Sequence, residues 1–199
     1  HTRTQAHARW ATGVACAEDV VVTASYDRTA KVWLRRDIEQ GTGRWVQVLT
    51  GHTGQLTCVA LESQGRLALT GSRDRTLRLW DCETGQCRGV MEDPGGSPVT
   101  GVVLQGHLAL SSRMDGRVDL RDVRARGSAR TLKAHEGATF AVAAHGQAVA
   151  SAGADHTVRL WDLRAPAPCP WAALPHDDGV LAVDLSGGEA CVSGGLGGE

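Results

Sequence analysis

The chain has 199 residues with 21 basic and 22 acidic side chains, a formal net charge of −1. That balance lacks the basic footprint nucleic acid needs, and no apolar run reaches the roughly 20 residues that span a bilayer, so neither is expected as a partner. All basic residues except Lys31 and Lys133 are arginines, which fits a compositional bias as well as it fits anion recognition.

In chain order, the first 33 residues carry a first strand near Ala11 to Cys16 and a hairpin over Val20 to Trp33, with Trp10 and Tyr26 as exposed candidates. Residues 34–50 add an elongated turn before an outer strand at Trp45 to Leu49. Residues 51–92 are the most regular, with Gly51-His52, LTCVAL, and the hairpin Thr70 to Asp81, in which Leu67/Leu69 and Leu77/Leu79 alternate about a Ser-Arg-Asp-Arg turn. Strict alternation marks a half-buried strand. Residues 93–133 are the least regular. Asp93 to Pro98 stands where Gly-His is expected, Arg121 replaces a tryptophan, and His107 falls in the turn between first and second strands, on the wrong side to meet Asp115. Asp115 is therefore expected to use backbone N–H groups. Residues 134–175 are regular again and end in a proline-rich link, Arg164 to Trp171, expected to be an extended connection. From 176 onward a further copy begins, with His176 after Pro175 and Ser193 opening its hairpin.

These segments are copies of one unit. Their turn aspartates Asp27, Asp74, Asp115 and Asp155 are spaced 47, 41 and 40 residues apart, at or near the roughly 40 to 45 residues of a four-stranded propeller blade. A preceding strand repeats too, with Val14, Val59, Val102, Val142 and Val183 in one position. Gly51-His52 followed by Trp80-Asp81 resembles the signature of the WD-repeat β-propeller family, and the likeness extends over essentially the whole chain. The fold class expected is all-β: about four and a half four-stranded blades, with units near 6–50, 51–92, 93–133, 134–175 and an incomplete 176–199. Seven blades are the commonest number in that family. With His1 at one end and Glu199 inside the fifth copy, the chain is expected to be part of a longer protein and, expressed alone, to self-associate through its open ends; the complete ring is expected to be a monomer within a complex.

The resemblance implies hydrogen-bonded sets made of a histidine, a hydroxyl, the turn aspartate and a tryptophan. Here these are His7/Thr23/Asp27/Trp33, His52/Thr70/Asp74/Trp80 and His135/Ser151/Asp155/Trp161. The hydroxyl four residues before the aspartate is Thr, Thr, Ser and Ser in the four copies, whereas the position two before it, Ser25, Ser72, Arg113 and Gly153, fails twice. A hydrolytic triad is the rival reading. Repetition argues against it, since an enzyme needs one such site. Of six cysteines, Cys16, Cys58, Cys82, Cys87, Cys169 and Cys191, the first two lie in expected first strands and Cys191 in a second; small, partly buried strand residues are the expected role, in a reducing compartment, intracellular in the cytoplasm or nucleus. Cys82 and Cys87 flank a Glu-Thr-Gly-Gln turn without a second pair, which is not a zinc pattern. No cofactor motif is present.

Family likeness implies a rigid platform for proteins or peptides. Its candidate face is formed by the residues before the turn aspartates, Tyr26, Arg73 and Met114, with Trp10 and Phe140 from the first strands. The leading expectation is a non-catalytic interaction scaffold of an intracellular assembly. A narrower one, from the local likeness of residues 72–87 to F-box/WD-repeat proteins, is a substrate receptor of a cullin-RING ubiquitin ligase. Arg73 fits that reading, but the first-strand positions are Thr12, Thr57 and Thr100 rather than arginines. An enzyme built on a propeller is the third and lacks a unique nucleophile.

Overall fold

The computed structural model describes residues 6–92, 96–125, 130–165, 169–186 and 190–195. Residues 93–95 of the irregular segment, 166–168 of the proline-rich link and 196–199 lie outside the described residues. The chain divides into two compact units, His1–Val99 and Thr100–Glu199.

The four-stranded sheets are meanders, in which each strand pairs antiparallel with the next in sequence. The first is β1 (Ala11–Ala17), β2 (Val20–Ser25), β3 (Ala30–Leu34) and β4 (Trp45–Leu49), in that order; the second is β5 (Leu56–Leu61), β6 (Leu67–Ser72), β7 (Thr76–Asp81) and β8 (Cys87–Glu92). Between β3 and β4 the elongated turn includes one helical turn, α1 (Arg35–Glu39), which buries no residue and which the sequence pattern did not anticipate. In the second unit the third sheet is β9 (Val99–Gln105) to β12 (Arg130–Lys133), with β10 (Leu108–Arg113) and β11 (Arg117–Asp122) between. The fourth is β13 (Thr139–His145), β14 (Ala148–Gly153), β15 (Thr157–Asp162) and β16 (Ala172–Pro175). A fifth sheet has two described strands, β17 (Val180–Ser186) and β18 (Ala190–Gly195).

Period-2 alternation decides what each sheet buries. In the first unit Val22, Ala24, Ala30, Val32 and Leu49 of one sheet meet Leu56, Ala68, Trp80 and Cys82 of the next, with Val59 and Leu61 packed alongside. At roughly 25 cal/mol per Å² of apolar area removed from water, this inter-sheet layer is the main stabilising term. In the second unit Leu110, Val118, Leu120 and Leu132 pack with Val142, Val149 and Trp161, and Ala152, Val158 and Val180 form a second layer. The repeated valines show what a neighbour does: Val142 is buried and Val59 half-buried, whereas Val14 is 65 % exposed. Cys16 is exposed on the same strand, which departs from the expected partly buried role.

The turns between second and third strands share one geometry. Arg28, Arg75, Gly116 and His156 have φ of 72, 74, 87 and 61°, the left-handed residue that closes a three-residue hairpin loop. Glycine is sterically needed only in the third sheet, where a Cβ on Gly116 would collide with the His135 carbonyl oxygen.

Candidate functional site

Three polar chains run through the sheets. In the second sheet Trp80 Nε1–H donates to Thr70 Oγ1 at 2.8 Å, Thr70 Oγ1 lies 2.8 Å from His52 Nε2, and His52 Nδ1 lies 2.7 Å from Asp74 Oδ2. One tautomer satisfies all of them: Thr70 gives its proton to Nε2, and Nδ1–H donates to the carboxylate. In the first sheet the corresponding distances are 3.0, 2.8 and 2.9 Å, for Trp33 to Thr23, Thr23 to His7 and His7 to Asp27. In the fourth they are 3.0, 2.9 and 2.7 Å, for Trp161 to Ser151, Ser151 to His135 and His135 to Asp155. The fifth sheet begins the same pattern, with His176 Nε2 3.0 Å from Ser193 Oγ.

A fifth member escaped the sequence reading. Thr29, Thr76 and Thr157, two residues after each aspartate, donate their hydroxyl to it at 2.6, 2.7 and 2.7 Å. Asp-x-Thr recurs in all three regular copies and would have marked them. The position two before the aspartate is also occupied for a reason. Ser25 and Ser72 accept from the N–H of Asp27 and Asp74 at 3.0 and 3.1 Å and donate to the Arg9 and Gln55 carbonyls.

Taken alone, His135 between Ser151 and Asp155 has the outline of a hydrolytic triad. But Ser151 and Thr70 are 0 % exposed, and each hydroxyl already accepts an indole N–H. A nucleophile sealed from solvent has no substrate to attack. Among the described residues no cluster of His, Cys, Asp or Glu has the make-up of a metal site, no disulfide joins the free Cys16, Cys58, Cys82, Cys87 and Cys169, and burial pushes the Cys82 thiol up to about 12.

The sets are linked to pH. Burial holds His52 and His135 below the ordinary 6.5, against the opposing pull of Asp74 and Asp155. Burial pushes the Asp74 carboxyl up, but hydrogen bonds from Thr76 and His52 outweigh it and hold it at about 2. Both shifts mean that the folded chain refuses protons the unfolded chain accepts, so stability is lost as pH falls. The urea midpoint is expected to be flat from about pH 6.5 to 9, to fall below that range as unfolded histidines charge and again from pH 3.8 toward 2, and to fall above it as the unfolded Cys82 thiol ionises. A midpoint that rises between pH 6.5 and 5 contradicts this.

The third sheet is built differently. Without histidine or tryptophan, Ser111 Oγ is buried with no hydrogen-bond partner among the described residues. Asp115 accepts from the Arg117 N–H at 3.4 Å, a backbone partner of the kind expected, and is held by the Arg117 side chain as well, at 2.6 and 2.9 Å. Inside the sheet a different polar pair appears: Arg113 Nε lies 3.1 Å from Asp119 Oδ2, and Thr131 donates to Asp119 Oδ1 at 2.8 Å. Arg113 is 0 % exposed. The signal lies in the differences between copies. Opposite the set hydroxyls stand Lys31, Arg78 and Arg159 in the regular sheets and Asp119 here, and the charge reversal coincides with Arg113.

Trp10, Tyr26 and Arg73 come together on the first unit. Tyr26 N–H donates to the Trp10 carbonyl at 3.0 Å, as Arg73 N–H does to Gln55 at 2.9 Å. This pairing brings the residue before each turn aspartate beside the residue entering the first strand. The Trp10 and Tyr26 rings stack with centroids 6.4 Å apart and planes at 20°, and the Arg73 guanidinium carbon lies 5.4 Å from the Tyr26 centroid. Trp10 is 81 % exposed. In the second unit Met114 is exposed and Phe140 half-buried. Thr12, Thr57 and Thr100 are turned to structural use. Within the first unit the hydroxyls of Thr12 and Thr57 donate to the carbonyls of Leu56 and Val99, and within the second that of Thr100 donates to the carbonyl of Thr139, the first residue of β13.

Sheets of this order, with these sets, define the blades of a WD-repeat β-propeller. The chain carries WD repeats and belongs to that family: the family model described as "WD domain, G-beta repeat" matches residues 43–81 and 127–162. WD repeat-containing protein 37 of Xenopus laevis is 31 % identical over 172 residues, 86 % of this chain and 26 % of that protein. Cross-pathway control WD-repeat protein 2 of Flammulina velutipes is 42 % identical over 85 residues, 41 % of this chain and 27 % of its own. Small ribosomal subunit protein RACK1 of Drosophila melanogaster is 40 % identical over 84 residues, 40 % of this chain and 26 % of its own. The aligned part is thus about a quarter of each relative's length. Among the described residues no helix is long and apolar enough to cross a membrane.

Proposed function

We propose that this chain is a non-catalytic protein-interaction platform, intracellular, and that the Trp10–Tyr26–Arg73 group is its contact surface. The observation that carries the reading is an exposed tryptophan stacked on Tyr26, which is half-buried rather than exposed as expected, with an arginine capping the tyrosine ring. Exposing a tryptophan has no benefit for the fold, and Trp, Tyr and Arg are the residue types that dominate interface energetics. Met114 and Phe140 are assigned to a second patch on the other unit. The polar sets are assigned a structural role, holding each sheet in register beneath these surfaces. Similarity to WD-repeat proteins supports the general reading. The narrower one, a ubiquitin-ligase substrate receptor, has the local likeness of residues 72–87 and Arg73 in its favour, but Thr12, Thr57 and Thr100 stand where that group places arginines.

Trp10→Ala and Arg73→Ala are expected each to weaken retention of proteins that the parent chain captures from cell extract, with a nearly unchanged melting curve. Gln64→Ala, exposed on a different turn, should retain them. Identical capture by the parent and all three variants would remove the proposed surface.

A further inference from the structure

We infer that the Trp10–Tyr26–Arg73 surface takes an acidic peptide segment with a planar aromatic side chain between its carboxylates; this rests on the reading of that surface as the contact site and adds the chemistry of its partner. Beside the stacked rings lies a recess of about 420 Å³ lined by Ala8, Arg9, Trp10 and Tyr26. Its floor is aromatic, and with Trp10 so exposed the recess offers a π-surface on which another ring can stack. Offset stacking of aromatic pairs contributes beyond simple area burial.

Charge selects what surrounds that ring. Arg9, Arg28 and Arg73 are all exposed at this end of the unit, and none has an ion-pair partner among the described residues. The carboxylates nearest in sequence, Asp27 and Asp74, are turned inward: each accepts from its histidine, its threonine and a backbone N–H. The polar sets therefore withdraw the acids from the surface and leave the arginines uncompensated there, so a near-neutral chain acquires a locally cationic aromatic face. A guanidinium is more weakly hydrated than an ammonium and meets a carboxylate through two parallel N–H groups, which makes it the better of the two at such a contact.

The rival occupant is a cation seated on the rings. Aromatic faces do attract lysine and arginine, but Arg73 already lies over Tyr26. A second cation would approach three like charges, and at exposed sites cation–π attraction is of the same order as each of those repulsions at contact distance. The acidic segment meets attraction from both features, whereas the basic one meets it from the rings alone.

The test uses fluorescein-labelled Glu-Asp-Phe-Asp-Glu, its Phe→Ala form, and Lys-Arg-Phe-Arg-Lys, titrated by anisotropy against the 199-residue chain. The acidic aromatic peptide is expected to bind at least tenfold more tightly than either of the others and to weaken severalfold between about 50 and 500 mM salt, on the order expected for a few released counter-charges. Arg73→Gln and Arg9→Gln should each weaken it about fivefold, and Trp10→Ala at least tenfold, all three melting with the parent chain. Equal or tighter binding of the basic peptide, lost in Trp10→Ala, overturns the acidic preference and leaves the contact surface standing. If the preferred peptide binds Trp10→Ala and Arg73→Gln as it binds the parent, the surface itself is wrong. No binding of the acidic peptide at about 1 mM, on the order of the weakest specific affinities, also overturns the inference.

Discussion

Asp119→Ala should unfold the chain at a markedly lower urea concentration, with a loss of about 3 to 5 kcal/mol, the range for removing one partner of a buried ion pair. The substitution leaves Arg113 charged and sealed inside the third sheet, and it also removes the acceptor of the Thr131 hydroxyl. Replacing both charges by apolar residues, Arg113→Met with Asp119→Val, is expected to recover most of that loss, because the pair's desolvation cost nearly cancels its attraction. The diagnostic is the order of the variants. If the double variant is less stable than Asp119→Ala alone, the pair is a larger net stabiliser than its desolvation cost implies.

Thr70→Val comes next in size. Valine keeps the shape but removes the atom on which two partners converge, so Trp80 Nε1–H loses its acceptor and His52 Nε2 its donor inside the second sheet. Each orphaned buried group costs about 1 to 3 kcal/mol, about 2 to 6 kcal/mol for the two, of which valine recovers part because it buries no hydroxyl. Thr53→Val, on an exposed threonine of the same blade, should change the midpoint little. Calorimetry of the two variants side by side makes the comparison, and equal melting temperatures would show that the hydroxyl is not central to the set.

What the sequence made legible depended on repetition. The β class and the antiparallel hairpins follow from alternation about each turn, as at Leu67/Leu69 and Leu77/Leu79. His52, Thr70, Asp74 and Trp80 could be grouped because the likeness to WD-repeat proteins implies such sets and three copies supply every member, with the hydroxyl and the tryptophan at fixed offsets from the aspartate; distances then place those atoms within hydrogen-bonding range. Arg113 and Asp119 were not legible in this way. They occur in the one copy that departs from the pattern, where a departure looks like loss rather than replacement, and only pairing of β10 with β11, with Asp119 opposite Ser111, brings Arg113 within reach on the same face. Helix α1 was missed for a simpler reason. Five residues with no buried face have no periodicity to read. The stacking of Trp10 on Tyr26 was half visible: both were marked as exposed, but their adjacency depends on a backbone hydrogen bond between positions 16 residues apart.

The threonine hydroxyls that cross from one inner strand to the next have a consequence for how the second unit opens. Thr100 ties β9 to the first residue of β13, but the same position on β13 is Phe140, which has no hydroxyl to offer the carbonyl of Val180. The tie stops there. Native-state hydrogen exchange reports the free energy of such partial openings, which differ from one cooperative segment to another. Amides of β17 should therefore exchange through a lower-energy opening than those of β13, with the step in protection falling between the fourth and fifth sheets, and the fifth sheet should be able to detach and re-dock while the other two sheets of its unit remain folded.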